Sequence, residues 1–338
     1  MNLLVIYADL LAINYNKNLI IKSFLKNKKF YKENNINLEV MKIDDINDFI
    51  NNINLNNYKN YILWLHQKIG SFILTFPEKV IQLKSLNIKT IFWMDDLHYP
   101  CLNLSMEDRL DKSIIDKDCR YINCDYIVSP SIDYFYNIKS NLIDKSKFLF
   151  YFFDEEIIDN FNPINYGNRI SKILLSGKIN SLSYKTRKEM YEFYCHNKDI
   201  VDYLEHPGYK NLKHDFYHYN YYNKLSKYKG AFLGLGNYPV NFLLGKVVEI
   251  LGSGCLGFFE ESNLYKDRLG LIENVHYISI KKNEGNLILS NKDVINLLNN
   301  NKGKSIAING YNFIKENYNS QSFSKKIIEI IKLFNIYI

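Results

Sequence analysis

The sequence holds no CxxC pair: its five cysteines, Cys101, Cys119, Cys124, Cys195 and Cys255, are an odd set scattered along 338 residues. A disulfide framework needs an even set at close spacings, and a structural zinc needs clustered Cys or His ligands. We therefore expect reduced thiols, a reducing compartment and no metal site. Long apolar runs are missing too, since no segment approaches the roughly 18 uninterrupted apolar residues of a membrane-spanning helix. The apolar stretch 1–11 carries neither a basic leader nor a small-residue cleavage site and is broken by Asp9, so it reads as a buried first strand rather than a signal segment. These absences point to a soluble cytoplasmic protein, with peripheral membrane contact left open. Blocks of one charge are also absent. The net charge of +7 comes from 43 basic and 36 acidic residues dispersed along the chain, which suits an anionic ligand (nucleotide diphosphate, nucleic acid or acidic membrane) without any concentrated basic stripe. No G-x-S-x-G elbow or Walker loop occurs, and Gly234-Leu-Gly236 is too short to count as a dinucleotide fingerprint.

Hydrophobic residues at 47% against 23% charged give a globular balance. A chain of 338 residues exceeds one ordinary core, so two α/β domains of about 150–180 residues are expected. Short apolar runs at 3–7, 38–41, 61–65, 90–93, 126–128 and 148–151 read as strands, with amphipathic stretches such as 19–25 and 72–86 between them. Strands joined by helix-length connections pair in parallel. The segment 154–169, with Pro163 and Gly167 among acidic and Asn residues, reads as the linker. A second series follows, with strands at 172–175, 200–204, 231–235, 256–259 and 276–280, helices near 186–194, 219–228 and 246–251, and a helical tail from 293. The expectation is therefore an α/β protein of two Rossmann-like domains, 1–155 and 156–338, whose parallel sheets face one another across a cleft.

The most informative stretch is Gly245-Lys-Val-Val-Glu-Ile-Leu-Gly-Ser-Gly-Cys255. Lys246 and Glu249 are three apart and share a face of the first helical turn, where unbonded backbone N–H groups and the dipole favour phosphate. A carboxylate one turn on is suited to ribose hydroxyls. Without other support the pair would read as a surface contact worth a few tenths of a kcal/mol.

That segment, with Asn274-Val-His-Tyr277 and Ile306-Ala-Ile-Asn-Gly-Tyr-Asn-Phe-Ile314, resembles the donor-binding half of GT-B glycosyltransferases, in the flavour of the group-1 and spore-coat-like branch. The resemblance implies that Glu249 holds the nucleotide ribose, with Lys246 and Gly254 on the neighbouring family positions. Retaining members carry another Glu eight residues earlier, where this chain has Asn241. Leu175-Ser-Gly-Lys-Ile-Asn-Ser-Leu-Ser-Tyr-Lys-Thr-Arg-Lys188 is similar to the first strand and loop of the GT-B donor domain, which makes Lys178 and Arg187 candidates for the diphosphate and Gly177 the point of close backbone approach. Glu205-His-Pro-Gly-Tyr209 resembles the loop beneath the base, where Tyr209 would stack, and the resemblance also implies that the helix after Ser320 crosses back to the first domain.

In the first half, Trp93-Met-Asp-Asp-Leu-His-Tyr-Pro100 follows a strand. An acceptor hydroxyl must lose a proton as it attacks, so Asp95, Asp96 and His98 are candidate bases, with Asp96 and His98 ranked above the rival Asp9. His66 and Gly70 are placed on the acceptor side. The implied activity is metal-independent transfer of a sugar, a hexose for preference, from a nucleotide sugar to a glycan or glycoconjugate. UDP is the favoured nucleotide, and no tightly bound cofactor is expected. A DNA-base glucosyltransferase is one alternative, and a non-catalytic nucleotide-sugar or glycan-binding protein is another.

Overall fold

The computed structural model describes residues 1–8, 15–43, 53–66, 70, 73–94, 119–133, 141–179, 184–205, 219–236, 241–283, 286–287 and 290–333. The chain divides into two compact units, Met1–Phe150 with Ser320–Ile338, and Tyr151–Asn319.

In the first unit, β1 (Asn2–Ala8), β2 (Asn37–Ile43), β3 (Tyr61–His66), β4 (Lys89–Trp93), β5 (Tyr126–Ser129) and β6 (Ser146–Phe148) form one sheet in the order β2-β1-β3-β4-β5-β6. Every pairing is parallel. The central strands carry continuous apolar runs because both faces are covered; Leu63, Trp64 and Leu65 in β3 and Ile91, Phe92 and Trp93 in β4 are fully buried. Trp64 and Trp93 stack at 5.9 Å. The helix Ser320–Lys332 belongs to this unit: Phe323 packs edge-on against Trp93, Ser23 Oγ–H donates to Ser320 O at 3.1 Å, and Asn27 Nδ2–H donates to Ser320 Oγ at 3.2 Å.

The second unit repeats the logic. Strands β7 (Ile170–Ser176), β8 (Val201–Leu204), β9 (Tyr228–Leu233), β10 (Leu256–Glu260) and β11 (Ile278–Ile280) lie in the order β11-β10-β9-β7-β8, again all parallel. Ile173, Leu175, Met190, Phe232, Leu256, Phe258, Leu298 and Ala307 pack into its core. Two parallel sheets with covering helices are the two Rossmann-like domains expected from the periodicity.

Some local expectations are corrected. The sixth strand, expected at 148–151, spans Ser146–Phe148: Ser146, Lys147 and Phe148 pair with Ile127, Val128 and Ser129, and Leu149 N–H adds one last bond to Ser129 O at 3.2 Å. The helix expected over 219–228 is Tyr219–Leu225, and Tyr228 already opens β9. The stretch read as a linker, 154–169, is folded into two short 3-10 helices, Ile158–Phe161 and Pro163–Asn168, that bury Ile158, Phe161 and Tyr166. Arg169 fastens it: one terminal nitrogen donates to the carbonyls of Ser253 and Gly254 (3.0 and 2.8 Å), the other to that of Phe161 (3.0 Å). Among the described residues no helix is long and apolar enough to cross a membrane.

The helices Asn291–Asn299 and Asn301–Asn317 meet at a corner with no room for a side chain. The side chain of Asn300 accepts from Gly303 N at 2.8 Å, and a Cβ on Gly303 would lie 1.8 Å from the carbonyl oxygen of Leu297. Backbone must move to admit it, so Gly303→Ala is expected to destabilise the chain by about 1–3 kcal/mol, read as a lower urea midpoint at unchanged slope.

Candidate functional site

In the second sheet β7 and β9 are neighbours although β8 intervenes in sequence. The chain thus winds away on opposite sides of this pair, and the carboxyl ends of such strands open a crevice. Ser176, Gly177 and Lys178 leave β7 there, Gly234 and Leu235 leave β9, and Glu260 ends β10.

Lys246 reaches into this edge. Its ammonium donates to Tyr221 OH at 2.7 Å and to Ser176 Oγ at 3.1 Å, the two hydroxyl oxygens lie 2.7 Å apart, and Nζ stands 4.6 Å from the centre of the Tyr221 ring. Among the described residues no carboxylate lies within ion-pair distance of it. Glu249, one turn along the helix Lys246–Gly252, is partly buried, and burial holds its carboxyl above the usual carboxylate range while the charge of Lys246 pulls the other way. No described protein donor hydrogen-bonds that carboxylate.

Arg187 is buried at the start of the helix Lys185–His196. One terminal nitrogen donates to Lys178 O at 3.0 Å, and the guanidinium lies over the Tyr184 ring at 4.1 Å. Gly177 has φ +109°, a backbone conformation that calls for glycine, and a Cβ there would stand 2.9 Å from the Arg187 guanidinium and push it aside. Tyr203 OH donates to Gly177 O at 3.2 Å from the end of β8. Lys178 itself is exposed.

The structure therefore brings Gly177, Lys178, Arg187, Lys246 and Glu249 to one edge of one sheet. It does not bring Gly254, which sits beyond the far end of its helix at φ +69°, ahead of β10 and so at the opposite edge, under the Arg169 clasp. The helix end is corrected as well. Val247 N–H donates to Leu244 O and Val248 N–H to Gly245 O, both at 3.1 Å, so the first turn of a seven-residue helix has already bonded the amides assigned to phosphate. In the first unit His66 is buried at the end of β3, in register with Trp93, and the space of a Gly70 Cβ is filled by the Phe92 ring, 2.5 Å away. Asp9, Asp95, Asp96, His98 and Tyr209 lie outside the described residues.

Three site residues escaped sequence reasoning. Ser176 sits inside a quoted motif but carries no charge. Tyr221 is one of 28 tyrosines, and no spacing marks it out. Glu260 is buried and its Oε2 accepts from Leu235 N at 2.9 Å, fixing the loop after β9; a glutamate closing the apolar run 256–259 was the available signal.

The raised carboxyl of Glu249 has a defined sign. Folded protein holds that proton more tightly than unfolded, so the ionised group costs stability in full above its folded pKa, and the cost fades as pH falls toward the unfolded value near 4.3. Glu249→Gln is thus expected to raise the thermal midpoint at pH 7, with the gain vanishing below about pH 4. A lower midpoint for the variant at pH 7 counts against the assignment.

No protein-family model matches the sequence, and no curated protein matches it either. Solved structures do. An α,α-trehalose-phosphate synthase (UDP-forming) from Burkholderia vietnamiensis aligns with TM-score 0.58 at 9% identity, over 99% of this chain and 98% of its own. An alpha-glucosyltransferase solved in complex with UDP-glucose and DNA containing an abasic site aligns with TM-score 0.57 at 11% identity, over 98% and 99%. A glycosyltransferase from Rickettsia africae gives TM-score 0.57 at 12% identity, over 98% and 97%. With two parallel Rossmann-like sheets and neighbours that match along their whole lengths, the chain has the fold of the GT-B glycosyltransferases.

Proposed function

We propose that this chain is a glycosyltransferase that takes a sugar, a hexose for preference, from a nucleotide-sugar donor and passes it to a glycan or glycoconjugate acceptor, with a UDP-sugar as the favoured donor. The observation that carries the reading is the ammonium of Lys246, set at the crevice of a GT-B donor-type sheet among hydroxyls and, among the described residues, with no carboxylate in ion-pair reach. A charge held in that position by two hydroxyls is suited to an anion, which accepts its hydrogen and meets its charge at once. Glu249 supplies a hydroxyl acceptor one turn away, the chemistry of a ribose contact. A neighbour of the same fold that is UDP-forming and another solved with UDP-glucose support the choice of nucleotide.

In this reading Lys246, Lys178 and Arg187 stabilise the charge that develops on the departing diphosphate. Three cations do the work that a divalent ion does in other transferases, which is the basis for proposing a metal-independent reaction. The acceptor proton goes to Asp96 or His98, with Asp95 and Asp9 as the further candidates, and His66 and Gly70 lie toward the acceptor. A cytoplasmic location suits the dispersed cysteines. DNA is a second acceptor reading, favoured by the net charge of +7 and by the neighbour solved with DNA and UDP-glucose.

Radiolabelled nucleotide sugars test the proposal. Transfer or slow donor hydrolysis should survive chelation and fall at least about tenfold in Lys246→Ala and in Glu249→Ala, since a charged hydrogen bond is worth about 1.5–3 kcal/mol. UDP should raise the thermal midpoint more than GDP, ADP or TDP. Binding without turnover would replace the enzyme by a binding module, and duplex DNA binding that weakens steeply with salt would favour the DNA acceptor.

A further inference from the structure

The cluster around Lys246 carries more hydrogen-bond donors than the protein accepts. An ammonium has three N–H donors. Lys246 sends one to Tyr221 OH and one to Ser176 Oγ, which leaves the third. The two hydroxyls share one hydrogen bond at 2.7 Å. Whichever of them accepts it keeps its own O–H, and among the described residues nothing accepts that hydrogen. One N–H and one O–H, on atoms no more than 3.1 Å apart, thus remain around a unit positive charge. A neutral carbonyl would take a hydrogen and leave the charge. A phosphoryl oxygen takes both hydrogens and the charge together.

The triangle is also held in place. Ser176 is buried at the end of β7 and so is fixed by the sheet. Tyr221 stands on the helix Tyr219–Leu225, whose next residue, the buried Tyr222, packs on Phe153 at 4.5 Å and on Phe161 at 6.0 Å. The face of the Tyr221 ring adds a quadrupole attraction for the ammonium. A long lysine side chain ordinarily loses much rotamer freedom when it binds; here that freedom is already restricted.

We infer that Ser176 and Tyr221 complete an anion-binding triangle with Lys246: they position its ammonium, and the hydroxyl hydrogen left between them bonds the same phosphoryl oxygen of a donor diphosphate. The inference rests on the nucleotide-sugar reading and deepens it by naming contacts that neither charge nor spacing in the sequence marks.

The test uses the full chain, with UDP and inorganic pyrophosphate titrated by calorimetry and uridine followed by ligand-observed NMR. Tyr221→Phe keeps the ring and removes the hydroxyl; Ser176→Ala removes the other. Each is expected to weaken UDP and pyrophosphate about tenfold, as for a lost hydrogen bond to a charged group, and to leave uridine unchanged. The inference is overturned if Tyr221→Phe and the double variant bind UDP within about twofold of wild type, or if uridine weakens in parallel with UDP, the mark of a structural role. Should Ser176→Ala fail to fold, Tyr221→Phe carries the comparison alone. Wild type that binds pyrophosphate but no nucleoside diphosphate would retire the glycosyltransferase reading and leave the triangle standing; wild type that binds neither ends both.

Discussion

A positive charge held among hydroxyls, with no carboxylate in ion-pair reach among the described residues, is the constraint on which the crevice of the second unit depends. The Lys246 ammonium is half-buried and bonds two neutral oxygens, which leave its charge in place for an anion. Glu249, one turn along the helix, is held above its usual range by burial although the charge of Lys246 pulls the other way. Two groups of opposite sign, one helical turn apart and each short of partners, are an arrangement that folding alone does not favour. A ligand with a phosphate at one end and vicinal hydroxyls at the other would satisfy both.

The sheet makes the arrangement affordable only because its order is β11-β10-β9-β7-β8. Placing β9 against β7 brings the loop after β9 to the loop after β7, two segments about sixty residues apart in sequence. Glu260, from the next strand, then fixes Leu235 through its backbone amide. Each anchor is a bond from a strand end to a loop, so the rigidity of the core carries into the crevice.

Much of this was legible in the sequence, for physical reasons that differ by element. Continuous apolar runs such as 63–65 and 91–93 mark strands buried on both faces, and they lie where expected. The spacing of Lys246 and Glu249 is a property of one helix and needs no tertiary knowledge. The failures that bear on the site are mostly tertiary. Nothing local reveals that Tyr221 would meet Lys246, since their elements are joined only through the packing of the sheet. The segment 154–169 has the composition of a linker, yet Phe161 and Tyr166 are buried and Arg169 reaches eighty-five residues ahead to Gly254 O. The helix end at 246 invited a phosphate, and a preceding turn had already taken its amides.

Gly177 shows how tightly backbone and charge are coupled here. The sequence suggests a glycine that lets a ligand approach, and the left-handed φ agrees with the need for glycine. The atom that a Cβ would strike, however, is the guanidinium of Arg187. Arg187 in turn bonds Lys178 O, so the glycine, the arginine and the backbone of the loop form one closed unit. Its guanidinium is held by contacts within the protein, and in the proposed reaction a leaving diphosphate is stabilised most by charges that need not move to meet it.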